Sequence, residues 1–351
     1  MPRKPFVPSF MLDTGAHVAP DKGTFGEWAR TWIEIGAPGQ KRRKANGARA
    51  VERYGQLLRH VLPVLGKIKL QQLQSTNIDK LYASLEGTMA PQTLLHIHNV
   101  LRSCLGAAVR TRKLAISPMD HIAKVPAPCE SDHGIALDDE QLRRLVEGFR
   151  GSVLYPIVAV AAFTGMRRGE ILALRHSDLD VQRKELRIER AIEETKTHGR
   201  RFKGPKTERG KRTITIDDDL IALLLQQKEK HLRMIAGIPT GAAVDLSLIK
   251  LPEGALMFPS PGDLLTPQRL KTTTEAFMTK AEQLGFPGLR FHDLRGTHET
   301  LLLDRGVPVH VVAARCGHDP AVLLRTYAKR TRKADTSAAS VIGGIARGIL
   351  K

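Results

Sequence analysis

Between Thr24 and Lys113 the large apolar residues recur at three- and four-residue steps, and no alternating stretch interrupts them. That period belongs to helices buried along one face. This stretch of the chain can therefore bury its apolar surface only by packing helix on helix. Thr24 has the chemistry of an N-cap, and Phe25, Trp28, Trp32 and Ile35 form the first stripe, so both tryptophans are expected in a core. Val51, Tyr54, Leu57, Leu58 and Val61 form the second, punctuated by Pro63 and Gly66. A third helix opens at Ser75, and Leu94, Ile97, Leu101, Leu105 and Val109 line a fourth from Thr93 to Lys113. His96 and His98 fall on different sides of that helix, which argues against a shared metal. The basic loop after the first helix carries Lys41-Arg42-Arg43-Lys44, suited to solvent or to phosphate.

Pro118, Pro126, Pro128 and Gly134 then break the pattern. The spacing predicts five segments: a flexible arm at 1–23, a helical domain at 24–124, a linker at 125–134, a second domain at 135–333 and a tail at 334–351. The second domain is mixed. Helices are expected near 138–149, 153–163 and 168–174. Residues 185–191 and 212–216 alternate like strands, with a strongly basic hairpin between them, so a small antiparallel sheet is expected there. A helix at 218–234 and a long loop at 236–255 follow. Leu256-Met257-Phe258 reads as extended, and helices close the chain near 267–284, 293–305, 308–315 and 320–328. The fold class is mostly α, with one small antiparallel sheet.

Charge narrows the partner. Lys and Arg number 55 against 36 Asp and Glu, a formal surplus of +19. Residues 1–130 carry 19 cations against 9 anions, and 131–351 carry 36 against 27, so both domains are basic rather than one tail. Such a surplus on a globular chain suits a polyanion, and nucleic acid fits better than a membrane, since no basic amphipathic anchor stands out. No apolar run approaches the length of a membrane helix, and no signal peptide follows Met1. The three cysteines, Cys104, Cys129 and Cys316, form no C-x-x-C pair, which supports neither a zinc knuckle nor a disulfide framework and fits a reducing cytoplasm.

Three short segments carry chemistry. In His292-Asp293-Leu294-Arg295 an imidazole and a guanidinium lie three apart, on one helical face. A guanidinium offers parallel donors to phosphate oxygens, and an imidazole can give or take a proton near neutrality. In Thr164-Gly165-Met166-Arg167-Arg168-Gly169-Glu170, the glycine ends an apolar helix, so Arg167 lies at a turn where Glu170 can hold it. Gly317-His318 is followed nine residues on by Tyr327.

Together these segments resemble the tyrosine recombinase family, the phage-integrase type of site-specific recombinase. Order and spacing match across the second domain and, more loosely, the helical first domain. Lys206, within Pro205-Lys206-Thr207-Glu208-Arg209-Gly210, takes the place of the family's hairpin lysine. Two positions depart from the pattern: Cys316 stands where an apolar residue is usual, and Gly210 where serine is frequent. The 23 residues before Thr24 are too few for the additional arm-binding domain of some phage integrases.

The resemblance implies a recombinase that cleaves and rejoins duplex DNA through a 3′-phosphotyrosine link, integrating or excising a phage or other mobile element. It implies catalytic Arg167, Lys206, His292, Arg295, His318 and Tyr327, with Tyr327 the nucleophile, and no cofactor or metal. Cations from side chains then stand in for Mg²⁺. Partners would be attachment-site DNA, three further copies of the chain in a tetramer joined through the tail, and a host DNA-bending protein or an excisionase. The setting would be the bacterial cytoplasm and its nucleoid. A type IB topoisomerase would share this chemistry, and a DNA-binding protein without catalysis would share the charge. A surplus that serves phosphate contacts makes DNA affinity fall by on the order of 10³ or more between about 50 and 200 mM salt. Gel-shift titrations at the two salts check this; a flat dependence would assign the charge another use.

Overall fold

The computed structural model describes residues 18–39, 45–127, 134–204, 210–239 and 241–327. The chain divides into two compact units, residues 1–131 and 132–351. The arm before residue 18, the Lys41–Lys44 run, Cys129, most of the expected linker and the tail lie outside the described residues.

Among the described residues the elements of unit one are all helices, as the stripes predict. Helix α1 (Phe25–Glu34) starts in a capping box: Glu27 N–H donates to Thr24 Oγ1 at 3.2 Å, and Thr24 N–H donates to Glu27 Oε2 at 2.7 Å. It is followed by α2 (Ala48–Leu65), α3 (Ser75–Leu85) and α4 (Pro91–Arg110). Trp28 and Trp32 are core, with indole N–H groups donating to Cys104 O and Pro38 O. His98 is buried and bonded to the Tyr82 hydroxyl, a satisfied core histidine. Helix α2 runs through Pro63 instead of stopping there. Proline leaves the carbonyl four residues earlier without a donor. Both Pro63 and Arg59 lie on the exposed side, where water can take that carbonyl, while Leu57, Leu58, Val61 and Leu65 stay buried.

Unit two is organised around α6 (Tyr155–Thr164), whose residues 157–162 are all buried. A helix apolar all round has to be covered on several sides, and α6 packs against α5 (Asp139–Gly148), α8 (Asp218–Ala236) and α10 (Asp293–Asp304). Phe149 stacks on Phe277 at 5.4 Å between ring centroids, and Phe291 meets Phe277 edge to face at 5.3 Å. Thr297 on α10 is fully buried and accepts the Leu137 N–H at 3.1 Å, tying the start of the unit to its central layer. The remaining helices are the single turn α7 (Arg168–Ile171), α9 (Leu270–Gln283), α11 (Val309–Cys316) and α12 (Pro320–Tyr327).

Strands β1 (Leu179–Asp180), β2 (Glu185–Ile188) and β5 (Arg212–Thr215) form the expected antiparallel sheet, with Leu186 opposite Ile214. The basic hairpin expected between β2 and β5 forms a sheet of its own, separate from the β1–β2–β5 sheet. Strands β3 (Ala191–Thr195) and β4 (Gly199–Lys203) pair as a second ladder, Ala191 opposite Lys203. The basic β4 is neutralised across the ladder: Glu193 takes Arg201 at 2.6 Å and Lys203 at 2.9 Å. A further pair, β6 (Pro259–Ser260) and β7 (Asp263–Pro267), turns at Pro261-Gly262. Among the described residues no helix is long and apolar enough to cross a membrane.

Helix α6 ends at Gly165 with φ +64, and a Cβ there would lie 2.7 Å from His298 Cδ2 and 2.9 Å from Cys316 Sγ. Left-handed backbone strain and overpacking add, so Gly165→Ala should cost about 2–4 kcal/mol. At Gly199, φ is +61 and nothing lies within 4 Å of the same atom, so Gly199→Ala carries the backbone term alone, about 1–2 kcal/mol. Urea unfolding of both variants checks the difference.

Candidate active site

The turn after α6 presents Arg167 in an extended conformation, φ −71 and ψ 144, at the start of α7. Glu170 reaches back to it twice. Oε2 accepts the Arg167 backbone N–H at 3.0 Å and Oε1 accepts Nη1 of its guanidinium at 2.9 Å. This is not a surface ion pair, because the Glu170 side chain is only 8% exposed. A second guanidinium, Arg212 of β5, closes on the same carboxylate at 2.9 and 3.3 Å and sends its Nε–H to Arg315 O at 2.7 Å. Burial pushes the Glu170 pKa up. The bond and charge of Arg212, then those of Arg167, outweigh burial and hold the carboxyl below its ordinary range.

The other half of the site hangs from α10. His292 stands at its start and Arg295 one turn on. The Arg295 side chain is 2% exposed. Its Nη1 donates to Gly165 O and its Nη2 to Cys316 O, each at 2.7 Å, and its Nε faces Glu299 Oε1 at 3.0 Å. The next carbonyl, Gly317 O, accepts Nη2 of Arg167 at 2.9 Å. The two guanidiniums thus grip consecutive carbonyls, immediately before His318. Gly317, at φ +67, turns the chain out of α11 there, and His318 N–H closes the helix end on Ala313 O. The His318 ring places Nε2 at 2.8 Å from Glu299 Oε1.

The structure therefore brings Arg167, Arg295 and His318 into one hydrogen-bonded network, with His292 a turn from Arg295. The His292 side chain stays open to solvent, yet desolvation by the surrounding protein, then the charge of Arg295, lowers its pKa. It is held neutral near pH 7, able to accept a proton. Lys206 lies outside the described residues. Tyr327 is the last residue of α12, and its side chain lies outside them as well. Sequence reasoning missed Arg212, His298, Glu299 and Arg315. His298 is buried behind the site, its Nδ1–H donating to Ala162 O at 2.9 Å and its Nε2 accepting from Arg315 Nε at 3.2 Å. Cys316 is buried beside them; desolvation pushes its thiol up to about 12, which keeps it protonated.

Residues 136–333 match the sequence model of the phage integrase family. A tyrosine recombinase XerC-like protein of Caldanaerobacter subterraneus subsp. tengcongensis is 27% identical over 269 residues, 72% of this chain and 66% of that protein. An integrase of Streptomyces ambofaciens is 24% identical over 344 residues, 95% of this chain and 83% of its own. Among solved structures, the Tn1549 transposon integrase in complex with a circular intermediate DNA superposes with a TM-score of 0.70 at 16% identity, covering 91% of this chain and 99% of that one. A lambda integrase tetramer bound to a Holliday junction gives 0.61 at 15% identity, covering 89% and 80%.

The buried His298 makes the fold acid-sensitive. Desolvation first, then the charge of Arg315, lowers its pKa from 6.5 to about 4. The unfolded chain takes up this proton first as pH falls. The contribution is whole above about pH 6.5 and is lost progressively down to about pH 4, a total on the order of 3 kcal/mol. Chemical denaturation of the protein and of His298→Gln across that window checks the sign: the difference between them should be pH-dependent there and flat above pH 7.

Proposed function

The chain belongs to the phage integrase family, and on that premise we propose that it is a site-specific DNA recombinase acting through a 3′-phosphotyrosine intermediate. The observation that carries this reading is the grip of Arg167 and Arg295 on the adjoining carbonyls of Gly317 and Cys316. It fixes two cations and an imidazole at one point, ahead of the helix that ends in Tyr327.

A phosphodiester under attack gathers negative charge on its non-bridging oxygens, and cations already in place stabilise it without reorganising. Arg167 and Arg295 fill that role, with His318 as a further contact. The Tyr327 oxygen attacks phosphorus as the bond from phosphorus to the 5′ oxygen breaks. The phenol is a weak nucleophile at neutral pH and needs an acceptor for its proton. His292, held neutral by desolvation and Arg295, suits that task. Lys206 protonates the departing 5′ oxygen. The phosphotyrosine keeps the bond energy, so a 5′ hydroxyl from another strand can reverse the step without ATP.

Unit one would bind the core site alongside the catalytic unit. Two duplexes with two cleavages each require four subunits, and the tetramer described for lambda integrase supports that count. A DNA-bending protein of the bacterial host or an excisionase would set the direction, on DNA of the nucleoid.

The test first searches the DNA flanking the coding gene for a short direct repeat and then uses a suicide duplex that carries it. Wild-type protein should form a covalent protein–DNA adduct; Tyr327→Phe should bind equally and form none. An adduct in Tyr327→Phe would move the nucleophile to Tyr54, Tyr82 or Tyr155. No adduct with wild type would leave a DNA-binding protein, and relaxation of supercoiled DNA without exchange between two sites would indicate a topoisomerase.

A further inference from the structure

Glu299 is assigned no role by the motif residues, yet its carboxylate sits between two groups that the proposed reaction uses. It lies one helical turn beyond Arg295 on α10 and its side chain is 6% exposed. Oε1 is 2.8 Å from His318 Nε2 and 3.0 Å from Arg295 Nε. The two nitrogens lie 3.2 Å from each other.

Those three distances set a proton assignment. The Arg295 Nε always carries hydrogen and can only donate. If it donated to His318 Nε2, that nitrogen would need a lone pair, and the imidazole proton would sit on Nδ1. It would also place two lone-pair acceptors, Nε2 and the carboxylate oxygen, against each other at 2.8 Å. A carboxylate oxygen accepts from several donors at once, and charge-assisted bonds to it are the stronger ones. The shorter contact therefore decides: both nitrogens donate to Glu299, and their mutual approach follows from sharing one acceptor.

We propose that Glu299 is a positioning residue that fixes the His318 proton on Nε2 and presents Nδ1 to the substrate. Without the carboxylate, Arg295 Nε is left as the nearest partner of Nε2. The ring then turns acceptor on that side, and its proton moves to Nδ1. Glu299 thus determines which ring atom meets the phosphate and in what protonation state. Donation from Nδ1 to a non-bridging oxygen requires the doubly protonated ring, and Glu299 is the anion that faces it. Other charged groups tied into this network are Arg295, Arg167 through Gly317 O, and Arg212 through Glu170. Glu170 pairs two of these arginines, and Glu299 is the carboxylate in contact with the His318 ring.

The inference rests on the recombinase reading for its consequence in catalysis, but not for its geometry, so two measurements separate the two. The first is ¹⁵N NMR of histidine-labelled, DNA-free protein, with the His318 signals assigned by their loss in His318→Gln. Wild type should show the proton on Nε2. Glu299→Gln retains an oxygen acceptor and should keep that tautomer; Glu299→Leu should move the proton to Nδ1. Wild type with the proton on Nδ1, or Glu299→Leu with no change, overturns the proposal whether or not the chain cuts DNA. If Glu299→Leu fails to fold, wild type and Glu299→Gln decide alone.

The second measurement is covalent adduct formation on the suicide duplex in a single turnover. A lost orienting partner of a catalytic imidazole slows chemistry by roughly tenfold at least. Glu299→Leu should show that loss with unchanged DNA affinity, and Glu299→Gln, keeping the tautomer without the charge, a smaller one. Equal rates in all three proteins overturn the proposal. Wild type without any adduct overturns the recombinase reading and leaves the NMR result standing.

Discussion

Burying the Arg295 guanidinium is the constraint on which the rest of unit two depends. A cation withdrawn from water to 2% exposure is tolerated only if its N–H groups find acceptors and its charge finds a counter-charge. The structure supplies them from three directions: Gly165 O after α6, Cys316 O at the end of α11, and Glu299 on its own helix. Any movement of one of these segments leaves a buried donor unpaired, at about 1–3 kcal/mol or more for a charged group. The guanidinium therefore acts as the rigid centre to which the two loops carrying Arg167 and His318 are fastened.

A second layer repeats the logic with the signs exchanged. Glu170 is a buried anion held by two arginines, one from its own turn and one from β5. Opposite charges alternate from Arg212 to Glu170 to Arg167, and Glu299 faces both Arg295 and the His318 ring. Pre-organisation of this kind is what a phosphoryl-transfer site without a flexible shell needs, since donors that are already fixed pay no reorganisation when charge develops.

The legible part of the site was the part written locally. The Arg167–Glu170 pair and the His292–Arg295 face follow from three-residue steps on a helix, and the turn at Gly165 follows from a glycine ending an apolar run. Glu299 stands at the four-residue step from Arg295 and could have been found by the same rule, but its meaning depends on His318, 19 residues away and on another element. Arg212 and His298 could not be found so. Their partners, Glu170 and Arg315 for one and Ala162 for the other, are 42, 103 and 136 residues distant, and only the packing of β5, α6 and α11 brings them close. The helices were legible because the 3.6-residue period survives whatever surrounds it. The bounds of the β3–β4 ladder were not, because three of its five pairings join only polar or glycine residues, and Glu193 meets Arg201 and Lys203 across the strands. Pro63 misled for a related reason: what a proline does to a helix depends on whether the orphaned carbonyl faces water, which sequence alone does not state.

The way the two arginines are fastened has a consequence for their energetics. Arg295, from α10, holds Gly165 O, two residues before Arg167; Arg167 in turn holds Gly317 O, one residue before His318. Each of these groups is thus positioned by another one, and both loops leave their helices through glycines in the left-handed region, where the backbone can turn within one residue. Removing Arg295 releases the carbonyl that positions Arg167, and removing Arg167 releases the loop that positions His318. Substitutions in such a loop of dependence share their losses, because the first one already displaces what the second would remove. Their effects belong to the class of contacting residues for which interaction energies reach about 0.5–3 kcal/mol. The contribution of either arginine to the proposed reaction is for that reason a property of the braced set, and the guanidinium that is nearly absent from the surface, Arg295, governs the one that is exposed.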